Sequence, residues 1–334
     1  MNKTNARRST LLIAEHLCKH YPIGGGLFSR PKGWVKAVNG VSFTLSRGES
    51  LGLVGESGCG KTSLARLLVR LQKPTGGKLY FDGREIGRLG QKEMKPIRKR
   101  MQIIFQDPYA SLNPRLTIEK SITEPLLNGN RMTRKKRRAL AAELLTTVGL
   151  QKEDLERFPH EFSGGQRQRI GIARALCVKP DLVVADEPVS ALDVSIQAQI
   201  LNLMRDLQVQ FGLTYLFISH DMGVVEHFCD RVAVMYAGGL IEVAHSVEFH
   251  QRCRHPYTQA LVEAVPQPDP KVKMPPAAVE GEPPDPAALP LGCPYHPRCT
   301  YAFDRCRSTH PPLIEVAKDH RIACWYNEGK GRVV

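Results

Sequence analysis

Apolar residues recur along this chain with two different periods, and the changes of period mark out the elements. Toward the N-terminus, short runs such as Leu11-Leu12-Ile13-Ala14, Val35-Lys36-Ala37-Val38 and Val41-Ser42-Phe43-Thr44-Leu45 alternate apolar and polar positions and are separated by Gly, Pro and Ser. They predict a small antiparallel sheet over residues 11–54. Further strands are predicted at Leu51-Gly52-Leu53-Val54, Lys78-Leu79-Tyr80-Phe81 and Met101-Gln102-Ile103-Ile104-Phe105. The runs Leu182-Val183-Val184-Ala185 and Tyr215-Leu216-Phe217-Ile218 are apolar throughout and read as strands buried on both faces. From about residue 113 to 165 the period lengthens to that of a helix, with Leu140, Leu144, Leu145 and Val148 on one face. Helices are also predicted from 163 through Leu176 and from Ile196 to Val209, and a closing hairpin from Val232-Ala233-Val234-Met235-Tyr236 and Gly239-Leu240-Ile241-Glu242. Strands alternating with helices place the chain in the α/β class.

Composition adds two constraints. No run of 18 or more apolar residues occurs, and Met1-Asn2-Lys3-Thr4-Asn5-Ala6-Arg7-Arg8 leads into no apolar leader segment, so a soluble, cytoplasmic chain is expected. The 334 residues suffice for two domains, or for one with an appendage. Net charge is +14, and residues 84–138 hold 15 Lys and Arg against 5 Asp and Glu, so most of the excess sits there. Its densest part, Arg134-Lys135-Lys136-Arg137-Arg138, lies just before a good helix former and has no interleaved aromatics. A solvated helix face accounts for it better than nucleic acid does. Nine cysteines in such a chain argue for thiols or metal ligands, not a disulfide framework.

The candidate chemistry centres on Gly55-Glu56-Ser57-Gly58-Cys59-Gly60-Lys61-Thr62, between a strand and a helix. Glycines there let consecutive backbone N–H groups surround phosphate oxygens at the positive end of a helix. Lys61 is placed to reach the β- and γ-phosphates, and the Thr62 hydroxyl to ligate Mg²⁺. Ser163-Gly164-Gly165-Gln166 opens a second helix suited to an anion. Asp186 and Glu187 close a buried strand, where acids face the ligand crevice, so Asp186 can hold the metal's water and Glu187 can polarise an attacking one. His220 closes the next strand and is placed to contact a γ-phosphate. Gln106, at another strand end, can reach the metal or its water, or is simply a polar terminus. Tyr21, before Gly24-Gly25-Gly26, can stack on an adenine ring or serve as a structural aromatic.

These motifs, in this order and spacing, resemble the nucleotide-binding subunit of an ABC transporter over roughly residues 11–262. The resemblance implies a P-loop NTPase core of ABC type, with an N-terminal antiparallel β subdomain, a helical insertion and a Cys-containing C-terminal extension. It makes Tyr21 the adenine-stacking aromatic and residues 55–62 the Walker A loop, with Gly55, Ser57, Gly58, Gly60, Lys61, Thr62 and Ser63 contacting nucleotide. Gln106 becomes the Q-loop glutamine, Ser163, Gly164, Gly165 and Gln166 the signature motif, and Asp186 the Walker B aspartate. Glu187 becomes the catalytic base, Asp193 a D-loop residue and His220 the switch histidine, with Thr62, Gln106 and Asp186 around Mg²⁺. Two departures are visible, Phe162 for the usual Leu before the signature motif and Thr62-Ser63 where Ser-Thr is commoner, and both keep the needed groups. Because one chain's phosphate loop and signature motif cannot hold the same nucleotide, the resemblance implies a head-to-tail pair. The partner is a homologous ATPase subunit or a second copy. Also implied are two transmembrane permease subunits, an extracytoplasmic solute-binding protein acting indirectly, and a peripheral place on the cytoplasmic face of the inner (plasma) membrane; no nucleic acid is expected.

Residues 255–262, His255-Pro256-Tyr257-Thr258-Gln259-Ala260-Leu261-Val262, resemble the opening of the C-terminal extension in ATP-binding subunits of oligopeptide and dipeptide importers. The expected organisation is a nucleotide-binding domain at 1–254, with a helical subdomain about 113–165, and an extension at 255–334. Nine prolines between 266 and 290 read as an extended connector. Beyond it Cys293, Cys299, Cys306 and Cys324 can complete a zinc site or hold an iron–sulfur cluster, and their spacing matches neither common pattern. Resemblance to peptide importers tips the choice to a structural [4Fe-4S] cluster over zinc. Cys18, Cys59, Cys177, Cys229 and Cys253 are scattered and read as packing thiols, with Cys59 a possible oxidation-sensitive point in the phosphate loop. The expected function is hydrolysis of ATP powering import of peptides, dipeptides foremost. A nickel, metallophore or glutathione importer is the alternative within the family, and a non-transport ABC ATPase acting on nucleic acid the alternative outside it.

Overall fold

The structure, a computed structural model, describes residues 9–24, 30–127, 132–247, 249–264 and 281–325. Part of the predicted proline-rich connector, residues 266–280, lies outside them. Among the described residues the strands are β1 (Thr10–Ile23), β2 (Gly33–Ser46), β3 (Ser50–Val54), β4 (Gly76–Phe81), β5 (Arg84–Glu85), β6 (Met101–Ile104), β7 (Leu182–Asp186), β8 (Thr214–Ile218), β9 (Arg231–Tyr236), β10 (Gly239–His245), β11 (Ile314–Ala317) and β12 (His320–Ile322). The helices are α1 (Lys61–Leu68), α2 (Gln91–Arg100), α3 (Pro108–Ser111), α4 (Ile118–Thr123), α5 (Arg134–Thr147), α6 (Gly164–Leu176), α7 (Val194–Phe211), α8 (Met222–Phe228), α9 (Phe249–Arg252), α10 (Pro256–Glu263) and α11 (Asp304–Ser308). The chain divides into two compact units, one built from residues 46–49 and 89–218, the other from 10–45, 50–88 and 219 onward.

In the first unit, β6, β7 and β8 run parallel, with Met101 opposite Leu182 and Leu182 opposite Thr214. All five residues of β7 and of β8 are buried, as an apolar run covered on both faces requires. α6 packs against α3, α4, α5 and α7. The helical segment starts at α3, a few residues earlier than the periodicity indicated. α5 includes the basic run, because Thr133 caps it by accepting from the Lys136 N–H, so the Arg and Lys residues form its first turns and do not precede it. Ala141, Leu144, Leu145 and Val148 are buried, with Ala141 taking the place expected of Leu140. Part of the positive charge is structural: Arg138 bridges Glu119 at 2.9 Å and Glu156 at 2.8 Å. α7 outruns its predicted bounds at both ends and stops at Gly212, whose φ of 64° supplies the left-handed cap.

In the second unit one sheet has the order β2-β1-β4-β5, with Leu12 of β1 opposite Phe81 of β4. A second ladder carries the phosphate loop: β3 runs parallel to β9, and β9 and β10 form the predicted hairpin. The tail extends this ladder, since β12 pairs antiparallel with β10 and β11 with β12. α10 begins with Pro256 at its first turn, and His255 Nδ1 accepts from the Tyr257 N–H at 3.1 Å.

Candidate nucleotide site and its relatives

The phosphate loop lies in the second unit, between β3 and α1. Its backbone needs glycine at two points. A Cβ on Gly60, at φ 109°, would stand 2.0 Å from the Ala37 carbonyl oxygen, and one on Gly55, at φ 151°, 2.2 Å from that of Met235. Lys61 is buried, and its ammonium donates to the carbonyl oxygens of Gly55 at 2.6 Å and Glu56 at 2.9 Å, which folds the loop around the cation. Thr62 is exposed and Ser63 half-buried at the first turn of α1, while Ser57 and Gly58 are exposed at the tip of the loop. Cys59 is only 7% exposed, and burial raises its thiol pKa against the lowering influence of Lys61. A protonated, covered sulfur is a poorer nucleophile than an exposed thiolate, which counts against the oxidation sensitivity expected there.

Glu56 is held from three sides. Its N–H donates to the Tyr257 hydroxyl at 2.9 Å, its carbonyl accepts from Lys61, and its carboxylate accepts two hydrogen bonds from Arg298, at 2.8 and 3.0 Å. Arg298 also donates to the Tyr236 hydroxyl at 3.3 Å. Tyr236, Tyr257 and Tyr295 pack ring to ring beside it, with centroids 4.6 to 5.4 Å apart. Residues 283–286 run past the same loop, Pro286 accepting from the Lys36 N–H at 3.0 Å, and with Lys36, Ser57 and Gly58 they line a cavity of about 200 Å³. No spacing signal links Arg298 to a residue 242 positions earlier, so these partners were not legible in the sequence.

Tyr21 lies on β1, half-buried, its hydroxyl bonded to the Gln72 side chain and one ring face 5.0 Å from the Lys19 ammonium. β8 ends at Ile218 with the apolar run, so His220 does not close the strand as expected but stands exposed two residues beyond it.

The first unit holds the other acidic and polar candidates. Asp186 ends β7 and is buried. Glu187 follows with φ 49°, a left-handed conformation rare for a side-chain-bearing residue, and its N–H donates to the Ile218 carbonyl at 3.0 Å. That turn brings its carboxylate to the Gln106 amide, which donates at 2.8 Å across 81 positions of sequence. Ser163 caps α6, its hydroxyl accepting from the Gln166 N–H while the Gln166 amide oxygen accepts from the Ser163 N–H at 2.9 Å. Ser163 and Gln166 remain exposed, leaving the helix start open to an anion. A Cβ on Gly165 would meet Ile196 at 2.5 Å, so this glycine permits α6 to approach α7. Asp193 stands, exposed, at the N-terminus of α7.

Two arginines that carry no signal in the sequence tie these pieces together. Arg167, buried, donates to the Pro159 carbonyl at 2.7 Å and stacks 3.9 Å from the Tyr109 ring. Arg174 donates to the Ser111 carbonyl. The segment after Gln106 is thereby fastened to the helix that Ser163 caps.

In the tail Cys293, Cys306 and Cys324 are buried and Cys299 half-buried. Burial first, then the neighbouring Cys306 and Cys299, push the Cys293 thiol up to about 11, so three of the four sulfurs share one neighbourhood. Among the described residues no group of three or more His, Cys, Asp or Glu side chains converges to hold a single metal ion.

Residues 38–190 match the ABC transporter family, and residues 241–306 match the oligopeptide/dipeptide transporter C-terminal region. A probable peptide ABC transporter ATP-binding protein of Sinorhizobium fredii is 52% identical over 94% of this chain and 89% of its own length. This chain belongs to the ABC transporter ATP-binding proteins. Within this ABC family it is also similar to the oligopeptide transport ATP-binding protein AppF of Bacillus subtilis, 51% identical over 96% of this chain and 98% of that protein. Among solved structures, a dimeric ATP-binding cassette in a post-hydrolysis state with ADP and phosphate matches with a TM-score of 0.63 and 29% identity, over 71% of this chain and 99% of that one. The chain thus has the fold of an ABC ATPase cassette, α/β with an antiparallel β subdomain and helices, and it is an ABC-type ATPase. Among the described residues no helix is long and apolar enough to cross a membrane.

Proposed function

We propose that this ABC ATPase hydrolyses ATP to power the import of peptides, dipeptides foremost, through a membrane transporter. The observation that carries the hydrolytic part is the Gln106–Glu187 hydrogen bond at the end of β7, which aims a carboxylate and an amide from two strand ends at one place beside the buried Asp186. The peptide assignment is supported by the match at residues 241–306 and by relatives named for peptide and oligopeptide transport.

In this reading the loop glycines Gly55, Gly58 and Gly60, with Ser57, Lys61 and Ser63, cradle the triphosphate, and Tyr21 offers the ring face away from Lys19 to the adenine. Thr62, Gln106 and Asp186 would hold Mg²⁺, which would supply positive charge for the phosphoryl group. Glu187 orients and deprotonates the attacking water, and His220 contacts the γ-phosphate. Asp193 and the exposed start of α6, with Ser163, Gly164, Gly165 and Gln166, serve the nucleotide of the facing subunit, so the working unit is a dimer with a homologous ATPase or a second copy, bound to two permease subunits on the cytoplasmic face of the inner membrane. The nucleotide-binding domain spans 1–254, and 255–334 is the peptide-importer extension.

Cys293, Cys299, Cys306 and Cys324 hold a [4Fe-4S] cluster in this extension. Four cysteine thiolates are the donor set such a cluster takes, and three of these four side chains are buried and the fourth half-buried within this short segment. Its chemistry would be a structural crosslink for a tail with few buried apolar residues of its own. The function is tested by purifying the chain from membranes that also contain its permeases. Mg-ATP hydrolysis that rises when peptide and solute-binding protein are supplied supports the reading, and hydrolysis indifferent to them counts against peptide import.

A further inference from the structure

The geometry points to Arg298, in the tail, as a positioning residue for the phosphate loop of its own chain. Glu56 lies two residues past the end of β3, and its carbonyl is one of the two carbonyl acceptors that hold the Lys61 ammonium. Where that carbonyl sits decides where Lys61 points. The carboxylate of the same residue is gripped in a two-pronged ion pair by Arg298, whose side chain is 5% exposed against 24% for Glu56. Arg298 is itself oriented by the Tyr236 hydroxyl and lies about 6 Å from the Tyr236 and Tyr295 ring centres. A forked guanidinium pair fixes both distance and plane, so the Glu56 side chain has one place to be.

The pair also matters for charge. A carboxylate adjoining a cradle for a triphosphate would repel the ligand. Arg298 neutralises it at the source. The tail therefore does two things for the loop: it fixes the backbone that aims Lys61, and it cancels the one anionic side chain the loop carries. This rests on the reading that the loop binds Mg-ATP.

The test uses the full-length chain, with Mg-ATP affinity measured by calorimetry, steady-state kcat and KM, and thermal melting of each variant. Arg298→Ala is expected to weaken Mg-ATP binding and raise KM about tenfold, with a smaller change in kcat, because an unpaired carboxylate is left beside the phosphates. Arg298→Lys, which keeps the charge and loses the fork, should fall in between. Removing the stranded charge in Arg298→Ala/Glu56→Gln should restore most of the affinity, which a purely structural role for Arg298 would not produce. If Arg298→Ala melts below the assay temperature, Arg298→Gln with and without Glu56→Gln makes the same comparison. The inference is overturned if folded Arg298→Ala binds Mg-ATP like the wild type, or if the double variant binds as weakly as the single one. Failure of the wild-type chain itself to bind Mg-ATP would instead remove the nucleotide reading beneath it.

Discussion

At the phosphate loop the sharpest constraint is steric, and it distinguishes glycines that look alike in the sequence. Gly60 has a carbonyl oxygen 2.0 Å from where its Cβ would be, whereas Gly58 has open space and only a positive φ of 80°. Gly60→Ala is therefore expected to displace the loop and abolish Mg-ATP binding. Gly58→Ala should cost about 1 kcal/mol of stability in denaturant titrations and leave binding measurable. Equal losses in the two variants would contradict this. The residue types at this site were legible because phosphate, Mg²⁺ and water activation demand Gly, Lys, hydroxyl and carboxylate at short spacings. Arg298, Arg167 and Arg174 were not, because each acts on a carbonyl or carboxylate supplied by another part of the chain.

Among the elements, α10 and β10 are joined by buried polar groups with a defined pH response. Glu242, fully buried on β10, accepts from the N–H groups of Arg254 at 2.7 Å and His255 at 3.0 Å, and lies 2.7 Å from His320 Nε2. Burial lowers the His255 pKa to about 4 despite the nearby Glu242, and its Nδ1 accepts the Tyr257 N–H, which only an unprotonated nitrogen can do. A histidine whose folded pKa lies below its unfolded value takes up its proton more readily when unfolded. Its contribution is complete near neutrality and declines as pH falls from about 6.5 toward 4. Urea titrations should show that His255→Gln, whose amide oxygen can accept the same bond, loses on the order of 2 kcal/mol less than the wild type between pH 7 and pH 5. Identical pH slopes would contradict it. α5, α6 and α7 were readable as helices from the sequence pattern, while α2 and α10 were not, and the ends were not either: α5 starts where Thr133 caps it and α7 stops where Gly212 turns left-handed, and both outweigh the apolar pattern.

On the scale of the whole chain, the tail is where sequence and structure differ most. Prolines and cysteines signalled a connector and a metal site, but not that β12 would pair with β10 or that residues 283–286 would run beside the phosphate loop, since strand pairing at such separation leaves no local pattern. The cluster proposal predicts a brown protein on anaerobic purification, with visible absorption, about four irons per chain and no zinc. A colourless, metal-free chain that melts cooperatively would remove it. The parallel strands, the phosphate loop and the buried acid strand were all legible, because an apolar run that ends in Gly or Asp marks a strand whose carboxyl end opens on the ligand crevice of an α/β fold.

The central claim is that Glu187, aimed by Gln106, activates water on a nucleotide shared by two subunits. Glu187→Gln keeps the shape and the hydrogen bond while removing the base, so it tests this most directly. Steady-state Mg-ATP hydrolysis should fall at least about a hundredfold, while Mg-ATP binding persists and sedimentation shows an ATP-dependent dimer, formed with a second copy or with the partner ATPase. Hydrolysis at the wild-type rate in that variant would contradict the account.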